Sequence, residues 1–469
     1  MKTTRTQPAC KPPAADPETG WPMQPLSRAL KPSSEKVEPS EVPNAWYLSL
    51  EHIEPHSRRI LGRGKATDVQ STKTVFRSGD VLYGKLRPYL NKVTVPDFDG
   101  VCSTDIFVFP KSESFNSRYL MYWLNRQEVV EYTNHLSAGV QLPRISFDDL
   151  GQLEIPLPPL PEQKLIVEAI ERLTARVDAA RDRLANVPAI LKRFRQAVLA
   201  AACSGRLTED WREASGHEGG AVDLLRRTET VRSKAGRIPR VTGVPDDLDA
   251  PAGWSPVYFG NLLTLLTSGS RGWAEFYSDT GPLFIRSQDI NTDELVLTDM
   301  AHVDPPQSAD RARTRAKRYD VLLTITGANV TKCAHISADL PEAYVSQHVA
   351  LCRLAVPELS PFVHLWLTSP QHGRKVLLDN AYGAGKPGLN LDNIKEVPIA
   401  LPSLAEQAEI VRRVESLIKL ADAIERRVAL AQARADKLTQ SILAKAFRGE
   451  LLPAGFNESQ ARVQEDHYA

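Results

Sequence analysis

The sequence repeats itself at a separation of 244 residues, and this repeat limits the folds that the chain can adopt. The stretch IPLPPLPEQKLIVEAIERL begins at Ile155, and IALPSLAEQAEIVRRVESL begins at Ile399. Each copy has a short strand-like run, a proline turn and a Glu-Gln pair that opens a helix. In both copies apolar residues then recur at alternating steps of four and three for about five heptads, which is the pattern of a coiled-coil seam. The chain is therefore predicted to contain two long helices of matched length.

The same register runs through both predicted helices without a slip. The seam positions are Ile166, Ile170, Leu173, Val177, Leu184 and Leu191 in the first copy, and Ile410, Val414, Leu417, Ile424, Val428 and Leu438 in the second. One alternative is that each amphipathic helix packs only on its own domain. Two helices with one register in the same chain favour mutual antiparallel pairing instead. Pro188 lies next to a seam position and should kink the first helix, because proline removes a backbone hydrogen bond.

The rest of each half repeats as well. DVLYGKLRPYLNK at Asp80 corresponds to DVLLTITGANVTK at Asp320, and a helical segment around Trp123 corresponds to one around Trp366. The short β-rich runs, turn residues and single helices of these parts are typical of α+β domains. A period this long indicates a duplicated module rather than a solenoid. The predicted fold class is therefore α+β, with two globular domains joined by a long antiparallel two-helix coiled coil in a pseudo-twofold internal repeat.

Seven segments follow from the repeat and from local composition. They are a disordered lead-in at 1–19, an α+β domain at 20–154, the first helix region at 155–203, a linker at 204–250, a second α+β domain at 251–396, the second helix region at 397–452 and a flexible tail at 453–469. The linker is polar, with one short helical piece expected near Leu224. It is long enough to bring the chain back along the first helix, so that the two helices can lie antiparallel.

The cysteines indicate the compartment and exclude some site types. Five of them are scattered without a CxxC pair, which argues against a zinc site or a disulfide framework and favours a reducing cytoplasm. The first residues lack the apolar segment of a signal peptide, and no stretch reaches the ~18 apolar residues of a membrane span. The ten histidines form no ligand-like cluster in the sequence. No metal and no cofactor is therefore expected.

Two fragments resemble catalytic motifs but lack essential residues. DPPQ at Asp304 lacks the aromatic residue that stacks on a flipped base in amino-methyltransferases. YGAGKPG at Tyr382 has Pro387 where a phosphate loop needs a magnesium-binding Ser or Thr, and Asn380 in place of its first glycine. The sequence therefore predicts a chain without catalytic activity of its own.

Positive charge is concentrated in corresponding parts of both halves, although the whole chain has a formal net charge of only +1. Clustered Arg and Lys suit contacts with DNA phosphates, and they also read base edges. The candidate DNA-binding residues are Arg58, Arg59, Arg63, Lys65, Lys85, Arg87 and Lys92 in the first half, and Arg311, Arg313, Arg315, Lys332 and Lys386 in the second. The alternative for each cluster is an ordinary solvated surface.

The order of these segments resembles the specificity subunit of type I restriction–modification enzymes. The resemblance rests on PLPPLPEQ and ALPSLAEQ at the helix entries, SGRLTEDWRE after the first helix and FRGEL after the second. It implies two target-recognition domains that each read one half of a split site in double-stranded DNA, with antiparallel spacer helices between them. It also implies a non-catalytic chain that docks two methyltransferase subunits and, in the full complex, restriction subunits.

The two recognition domains implied by the resemblance differ strongly in sequence, as YGKLRPYL and LTITGANV illustrate. Their half-sites should therefore differ, and the target should be asymmetric. The expected base readers, chosen for charge, turn-rich context and repetition, are Lys85, Arg87, Lys92, Lys332 and Lys386. The rival interpretation is a coiled-coil scaffold that binds only proteins, which specific and salt-sensitive DNA binding would exclude.

Overall fold

The chain forms two structural units. They comprise Met1–Ala185 with Ala429–Ala469, and Asn186–Val428. The structure, a computed structural model, describes residues 21–113, 115–137, 141–215, 220–235, 240–245, 248–269, 271–383 and 387–451. The lead-in predicted at 1–19 and the tail predicted at 453–469 lie outside the described residues.

Unit 1 is built from short strands and then helices, as expected for an α+β domain. Its strands are β1 (Met23–Pro25), β2 (Lys36–Val37), β3 (Trp46–Leu48), β4 (Gly64–Lys65), β5 (Lys73–Phe76), β6 (Val81–Gly84), β7 (Val93–Thr94), β8 (Gly100–Cys102), β9 (Ile106–Phe109) and β10 (Glu154–Pro156). Its helices are α1 (Leu26–Ala29), α2 (Ser117–Leu124), α3 (Gln127–Leu136), α4 (Phe147–Leu150) and the first part of α5 (Leu160–Cys203). The sheets have the orders β2-β5-β8-β3-β4, β7-β6-β9 and β1-β10.

Unit 2 contains the same kinds of element. Its strands are β11 (Ser255–Tyr258), β12 (Leu263–Ser268), β13 (Tyr277–Ile285), β14 (Ile290–Asn291), β15 (Glu294–Leu295), β16 (Ala301–Val303), β17 (Val321–Thr324), β18 (Cys333–His335), β19 (Ala343–Val345), β20 (Val349–Leu354) and β21 (Pro398–Leu401). Its helices are the rest of α5, α6 (Glu209–Ser215), α7 (Gly220–Ala235), α8 (Ala309–Thr314), α9 (Ser360–Thr368), α10 (Gly373–Asp379), α11 (Leu391–Lys395) and the first part of α12 (Leu404–Phe447). The sheets have the orders β12-β20-β17-β18, β16-β13-β19, β11-β21 and β14-β15.

The two units share a set of strand pairings, which supports the internal repeat, while β5–β8 occurs only in unit 1 and β12–β20 only in unit 2. Each has a parallel pair, β3 with β8 in unit 1 and β13 with β19 in unit 2. Each has a central strand with two antiparallel neighbours: β6 between β7 and β9, and β17 between β18 and β20. The strand β10 directly precedes α5 and pairs antiparallel with β1. In the same way β21 directly precedes α12 and pairs antiparallel with β11. The predicted α+β class is therefore correct for both halves.

Each domain core contains residues of both long helices. In unit 1, Trp123 of α2 lies in one apolar cluster with Ile170 of α5 and Phe447 of α12. In unit 2, Trp366 of α9 lies in one apolar cluster with Ile410 of α12. Complete burial of such a side chain stabilises a fold by about 1.5–3 kcal/mol. The end of one long helix and the start of the other are therefore integral parts of each domain.

The long helices α5 and α12 pair antiparallel, as the heptads predict. In unit 1, Arg181 Nη2 lies 2.6 Å from Asp436 Oδ1, and in unit 2, Arg195 Nη2 lies 2.7 Å from Asp422 Oδ1. Arg195 comes 14 residues after Arg181, whereas Asp422 comes 14 residues before Asp436, so both ion pairs obey one antiparallel register. Pro188 lies within α5, which continues past it.

The segment after α5, expected to be a linker with one helical piece, contains two helices. α6 follows a short 3₁₀ turn at Arg206–Thr208, and α7 includes Leu224. Arg232 joins α7 to β12 of the same unit, since its Nε donates to the carbonyl O of Leu263 at 3.0 Å. In the described ranges, no helix is both long and apolar enough to cross a membrane.

Candidate nucleic-acid interface

An indole–carboxylate hydrogen bond joins each α+β domain to the start of a long helix. Trp21 Nε1 donates to Glu162 Oε2 at 2.9 Å, and Trp254 Nε1 donates to Glu406 Oε2 at 2.9 Å. Both glutamates belong to the repeated Glu-Gln pair and lie in the first turn of α5 or α12. A carboxylate is favoured there because the unpaired N–H groups give a helix N-terminus partial positive charge. The repeated glutamate is therefore an anchor between domain and helix.

The glutamine of each pair fixes the proline turn that precedes the helix. Gln163 Nε2 donates to the carbonyl O of Pro158, and Gln407 Nε2 donates to that of Pro402, both at 2.9 Å. Gln163 Oε1 also accepts from the backbone N–H of Asn116, which caps α2. Both glutamines are buried, and these bonds pair their amide nitrogens and Gln163 Oε1, whereas Gln407 Oε1 has no hydrogen-bond partner among the described residues. The repeated motif is thus explained by structure and not by contact with DNA.

The two anchors differ in what else the glutamate binds. Glu406 has a side chain only 5% exposed, and its Oε1 accepts hydrogen bonds from Thr208 Oγ1 at 2.8 Å and from Arg212. Glu162 accepts from Trp21 and from no other side chain among the described residues. The stretch SGRLTEDWRE is therefore tied to the start of α12 by charge-assisted hydrogen bonds, which are the stronger kind.

The first two cations of the predicted DNA-binding cluster contact α5. Arg58 Nη2 lies 3.5 Å from Asp178 Oδ2, its side chain is 8% exposed, and it lies over the Tyr122 ring. Arg59 Nη2 lies 2.7 Å from Asp182 Oδ1, and this hydrogen bond raises the pKa of Arg59. Most of the Arg58 side chain is enclosed by its own domain, which leaves little of it accessible to a phosphate. Arg59 remains partly exposed, so a DNA contact by it stays a prediction.

Two lysines predicted to read bases are half-buried within unit 1. Lys92 Nζ donates to the carbonyl O of Leu50, and burial lowers the pKa of Lys92. Lys85 Nζ lies 5.3 Å from the centre of the Phe107 ring, a cation–π distance. The Lys92 side chain therefore makes a hydrogen bond inside its own domain, and base reading by Lys92 stays a prediction. Lys85 keeps part of its surface accessible.

Three cations of the first half are exposed: Arg63, Lys65 and Arg87. The guanidinium of Arg63 lies 3.8 Å from the centre of the Trp46 ring, which orients it without neutralising it. None of the three makes an ion pair with any residue in the described ranges. Their charge is therefore available to a polyanion.

The arginine-rich stretch of the second half is mostly neutralised by nearby carboxylates. Arg311 Nη2 lies 3.1 Å from Glu342 Oε1, and Arg313 Nη2 lies 3.0 Å from Asp310 Oδ1. Arg315 is exposed and forms no ion pair with the residues that the structure describes. The charges of Arg311 and Arg313 are thus paired within the domain, while both side chains keep part of their surface exposed, and their contact with DNA stays a prediction. Arg315 is the member left available.

Lys332 occupies the position in unit 2 that Lys92 occupies in unit 1. The carbonyl O of Lys332 accepts from the N–H of Thr324 at 2.8 Å, as that of Lys92 accepts from Gly84 at 2.8 Å. Lys332 is half-buried, and Lys386 lies outside the described residues. Residues that are identical in two halves with otherwise unlike sequences serve what the halves share, namely the fold. The repetition of this lysine thus fits a role in the common fold, and base reading by Lys332 stays a prediction.

Most predicted seam residues are at least half-buried, but three are exposed. Buried are Ile166, Ile170, Val177, Leu191, Ile410 and Val414, and half-buried are Leu184, Leu417 and Val428. Leu173, Ile424 and Leu438 are 40%, 36% and 52% exposed, whereas the adjacent Thr174 and Thr439 are buried. A straight α-helix drifts by ~20° per heptad from a strict seven-residue pattern. At Leu173 and Leu438 the contact face thus moves to the next residue, whereas at Ile424 the next residue, Glu425, is exposed as well.

Both units build the loop after the central strand in the same way. After β6, the N–H of Arg87 donates to the carbonyl O of Pro143 at 2.7 Å. After β17, the N–H of Gly327 donates to the carbonyl O of Pro387 at 3.0 Å. The loop side chains differ between the units, and Tyr89 in the first loop is exposed. The divergence of YGKLRPYL from LTITGANV, between shared Asp and Lys residues, marks this loop in the sequence, but its backbone bonds to Pro143 and Pro387 are visible only in the structure.

These features define a class of protein: a duplicated recognition fold, with one domain in each unit and a loop of different sequence on each domain. The model of the family "Type I restriction modification DNA specificity domain" matches residues 58–189 and 317–431, together more than half of the chain. The type I restriction enzyme EcoBI specificity subunit of Escherichia coli is 33% identical over 361 residues, covering 75% of this chain and 68% of that protein. The EcoKI specificity subunit of Escherichia coli (strain K12) is 33% identical over 316 residues, covering 67% of this chain and 61% of that protein. The chain belongs to the family of type I restriction–modification DNA specificity subunits, and a scaffold that binds only proteins is not favoured.

Solved structures share the fold. A chain from a structure of the type I R-M system, described for its complex assembly and conformational transition, matches with a TM-score of 0.64 at 22% identity. That match covers 94% of this chain and 100% of the other. The HsdS subunit from Thermoanaerobacter tengcongensis matches with a TM-score of 0.50 at 24% identity, covering 92% of this chain and 97% of that chain. These likenesses confirm the predicted fold class.

Proposed function

We propose that the chain reads a split, asymmetric site in double-stranded DNA, with one half-site for each unit. The observation that carries this proposal is the duplicated domain: both units share a parallel strand pair and a central strand with two antiparallel neighbours, while the loop after β6 or β17 differs in sequence. A common backbone fold that carries different side chains suits two domains that read two different DNA sequences. In dimeric DNA-binding proteins, the spacing of the two subunits likewise sets the spacing of the two half-sites. We assign the first recognition domain to residues 20–154 and the second to 251–396.

The exposed cations contribute the affinity that does not depend on sequence. Arg63, Lys65 and Arg315 are exposed and carry charge that their own domains do not neutralise. Each phosphate contact releases counterions, so its loss reduces the slope of log affinity against log salt by about 0.9. Arg63→Ala and Lys65→Ala should each flatten that slope by about this amount without changing the preferred sequence. An unchanged slope for both would place this surface away from DNA.

The chain acts without catalysis of its own and supplies specificity to methyltransferase and restriction subunits. Apolar residues left exposed on the long helices suit such partners, since large exposed apolar side chains mark interaction surfaces when they cluster. In unit 1 these are Leu173, Leu430 and Leu438, and in unit 2 Ile190, Leu420 and Ile424. Because each unit carries such residues, one methyltransferase subunit binds to each unit.

The experiment that tests this function is the mapping of methylated bases in cells that contain this chain and the methyltransferase subunit of its own system. The expected result is one target made of two unlike half-sites separated by a fixed gap of unspecified sequence. Methylation should disappear when either subunit is omitted, and the purified chain alone should neither methylate DNA nor bind S-adenosylmethionine. A continuous or palindromic target, or methyl transfer by the isolated chain, would contradict the proposal.

A further inference from the structure

Three segments meet at one edge of each domain through matching backbone hydrogen bonds. They are the loop after the central strand, the turn before the next antiparallel strand, and the segment before the short helix α4 or α11. In unit 1 the bonds are Lys85 N to Asp105 O at 2.9 Å, Arg87 N to Pro143 O at 2.7 Å, Ile145 N to Lys85 O at 3.0 Å and Ile106 N to Ser103 O at 3.0 Å. In unit 2 they are Ile325 N to His348 O at 2.9 Å, Gly327 N to Pro387 O at 3.0 Å, Leu389 N to Ile325 O at 2.9 Å and Val349 N to Ser346 O at 3.0 Å. We call this three-segment arrangement the loop edge.

The backbone of the loop edge is the same in both units, but its side chains belong to different chemical classes. In unit 1 the edge presents the cation Arg87 beside the exposed ring of Tyr89. In unit 2 it presents an amide and an imidazole, Gln347 and His348, both exposed. A constant backbone that carries variable polar side chains is what a base-reading surface requires, because bases are distinguished by donor and acceptor patterns.

Arg87 is held by its backbone and has a free side chain. Its φ of 53° lies in the left-handed region, where a residue other than glycine is strained, and the hydrogen bond to Pro143 maintains this conformation. Strain of this kind persists where the surrounding structure enforces it, and it is concentrated at functional sites. The equivalent position in unit 2 is Gly327, with a φ of 91°. Within the described ranges, the Arg87 guanidinium makes no ion pair, so its fork of donors is available.

Gln347 is oriented by a chain of hydrogen bonds in unit 2. Its Nε2 lies 3.2 Å from His348 Nε2, and His348 Nδ1 lies 3.0 Å from Thr326 Oγ1. When Gln347 donates one hydrogen to His348, its Oε1 and its second N–H remain free. An amide with one acceptor and one donor side by side is the group that pairs with the N6 and N7 edge of adenine.

We propose that the loop edge is the base-reading element of each domain, with Arg87 reading a guanine in one half-site and Gln347 reading an adenine in the other. This inference rests on the proposed function and adds which residues and which bases are involved. A guanidinium matches the O6 and N7 acceptors of guanine, as the amide matches adenine. Arg87 lies on the loop after the central strand of unit 1, whereas Gln347 lies on the turn before β20 in unit 2, so the two domains use different segments of the loop edge to read half-sites of different sequence.

The test is competition binding by the complete complex of this chain with its methyltransferase subunits. The competitors are duplexes that carry every single base-pair change in each half-site. Arg87→Gly removes the side chain and places glycine where the backbone is left-handed, so the fold is not put at risk. It should lower discrimination roughly 5- to 150-fold at one G·C pair of one half-site and leave the other half-site unchanged. Gln347→Ala should do the same at one A·T pair of the other half-site.

Matched controls separate base reading from charge and from folding. Lys65→Ala removes an exposed cation of unit 1 and should weaken binding to all duplexes equally. Gln371→Ala removes an exposed amide of unit 2 and should change nothing. Arg87→Lys keeps the charge but not the fork, so it should lose discrimination while it keeps the salt dependence. Thermal melts of the variants exclude unfolding as the cause of a lost signal.

Several outcomes would overturn the inference. If Arg87→Gly weakens all duplexes equally, Arg87 contacts only phosphate, and if it changes nothing, the loop edge faces away from DNA. If Arg87→Gly and Gln347→Ala relax the same half-site, the loop edges are not separate readers. Failure of the proposed function would look different, because the unaltered complex would then have no target with two half-sites to relax.

Discussion

Replacing Glu406 by glutamine should destabilise the chain far more than the same change at Glu162, although the two residues occupy the same place in the repeated motif. Glu406 is nearly buried and neutralises Arg212, whose own side chain is 18% exposed, and it also accepts from Thr208 and Trp254. Removing one partner of a buried ion pair costs about 3–5 kcal/mol, because the remaining charge is left without compensation. Glu162 accepts only the indole bond of Trp21 among the described side chains, and losing such a bond costs about 1 kcal/mol.

These free energies translate into measurable differences in melting temperature. For a unit of roughly 150–250 residues, each kcal/mol shifts the Tm by about 2–4 °C, so Glu406→Gln should lower it by at least about 6 °C and Glu162→Gln by about 2–4 °C. Differential scanning calorimetry of the complete chain measures both shifts. In a double-mutant cycle, Glu406→Gln should cost much less stability in the Arg212→Met background than in the unaltered chain, since both changes remove the same ion pair. The difference is the coupling energy of the two residues. Equal shifts for the two glutamates, or no coupling to Arg212, would refute the reasoning from burial.

Three further predictions follow from named contacts. Arg58→Met should lower the free energy of unfolding by about 1–2 kcal/mol because it removes the ion pair of Arg58 with Asp178 and its contact with the Tyr122 ring, while Arg181 still pairs with Asp178. Arg63→Met should leave the free energy of unfolding within about 0.5 kcal/mol; urea unfolding compares the two variants, and equal effects would contradict the internal role of Arg58. Burial, and then the nearby His364, lower the pKa of His335 to about 4, so the unfolded chain binds more protons between about pH 6.5 and 4 and stability should fall as the pH falls through that window. His335→Gln should flatten this loss, and an identical pH profile in the variant would count against it. Leu430→Ser should leave the Tm of the chain unchanged but weaken assembly with the methyltransferase subunit in analytical ultracentrifugation, and undiminished assembly would exclude this part of the helix surface.

The sequence predicted the large-scale organisation because the features that set it are periodic or repeated. The heptads predicted two long antiparallel helices, and the structure places them at Leu160–Cys203 and Leu404–Phe447. The exact contact face was less predictable, since a half-buried pair of helices follows 3.6 residues per turn more closely than 3.5, and Leu438 was therefore misplaced.

The candidate site was harder to predict because ion pairing depends on residues distant in sequence. Arg58 looked available for DNA, yet its partner Asp178 lies 120 positions later in the chain. The repetition of Lys92 and Lys332 suggests base reading from sequence alone. In the structure, the two lysines hold equivalent positions in the common backbone of both halves. Gln347 carries no charge and lies outside every basic cluster, so only the matching backbone bonds of the two units single it out. In a chain with an internal repeat, positions that differ inside otherwise matching blocks are therefore the stronger candidates for specific binding.

We propose that the pair of long helices sets the distance between the half-sites of the two readers. This proposal is tested most directly by inserting one heptad into each long helix, after Asn186 in α5 and after Leu430 in α12. These points correspond in the antiparallel register of the two interhelical ion pairs, so both pairs are kept. The insertion adds roughly 10 Å to each helix, or about three base pairs of duplex at ~3.4 Å each. Methylation mapping of the variant complex on DNA with randomised gaps should return the same two half-sites with a gap longer by about three base pairs, although twisting of the DNA adds a cost to binding. Altered half-sites at the original gap would contradict the account.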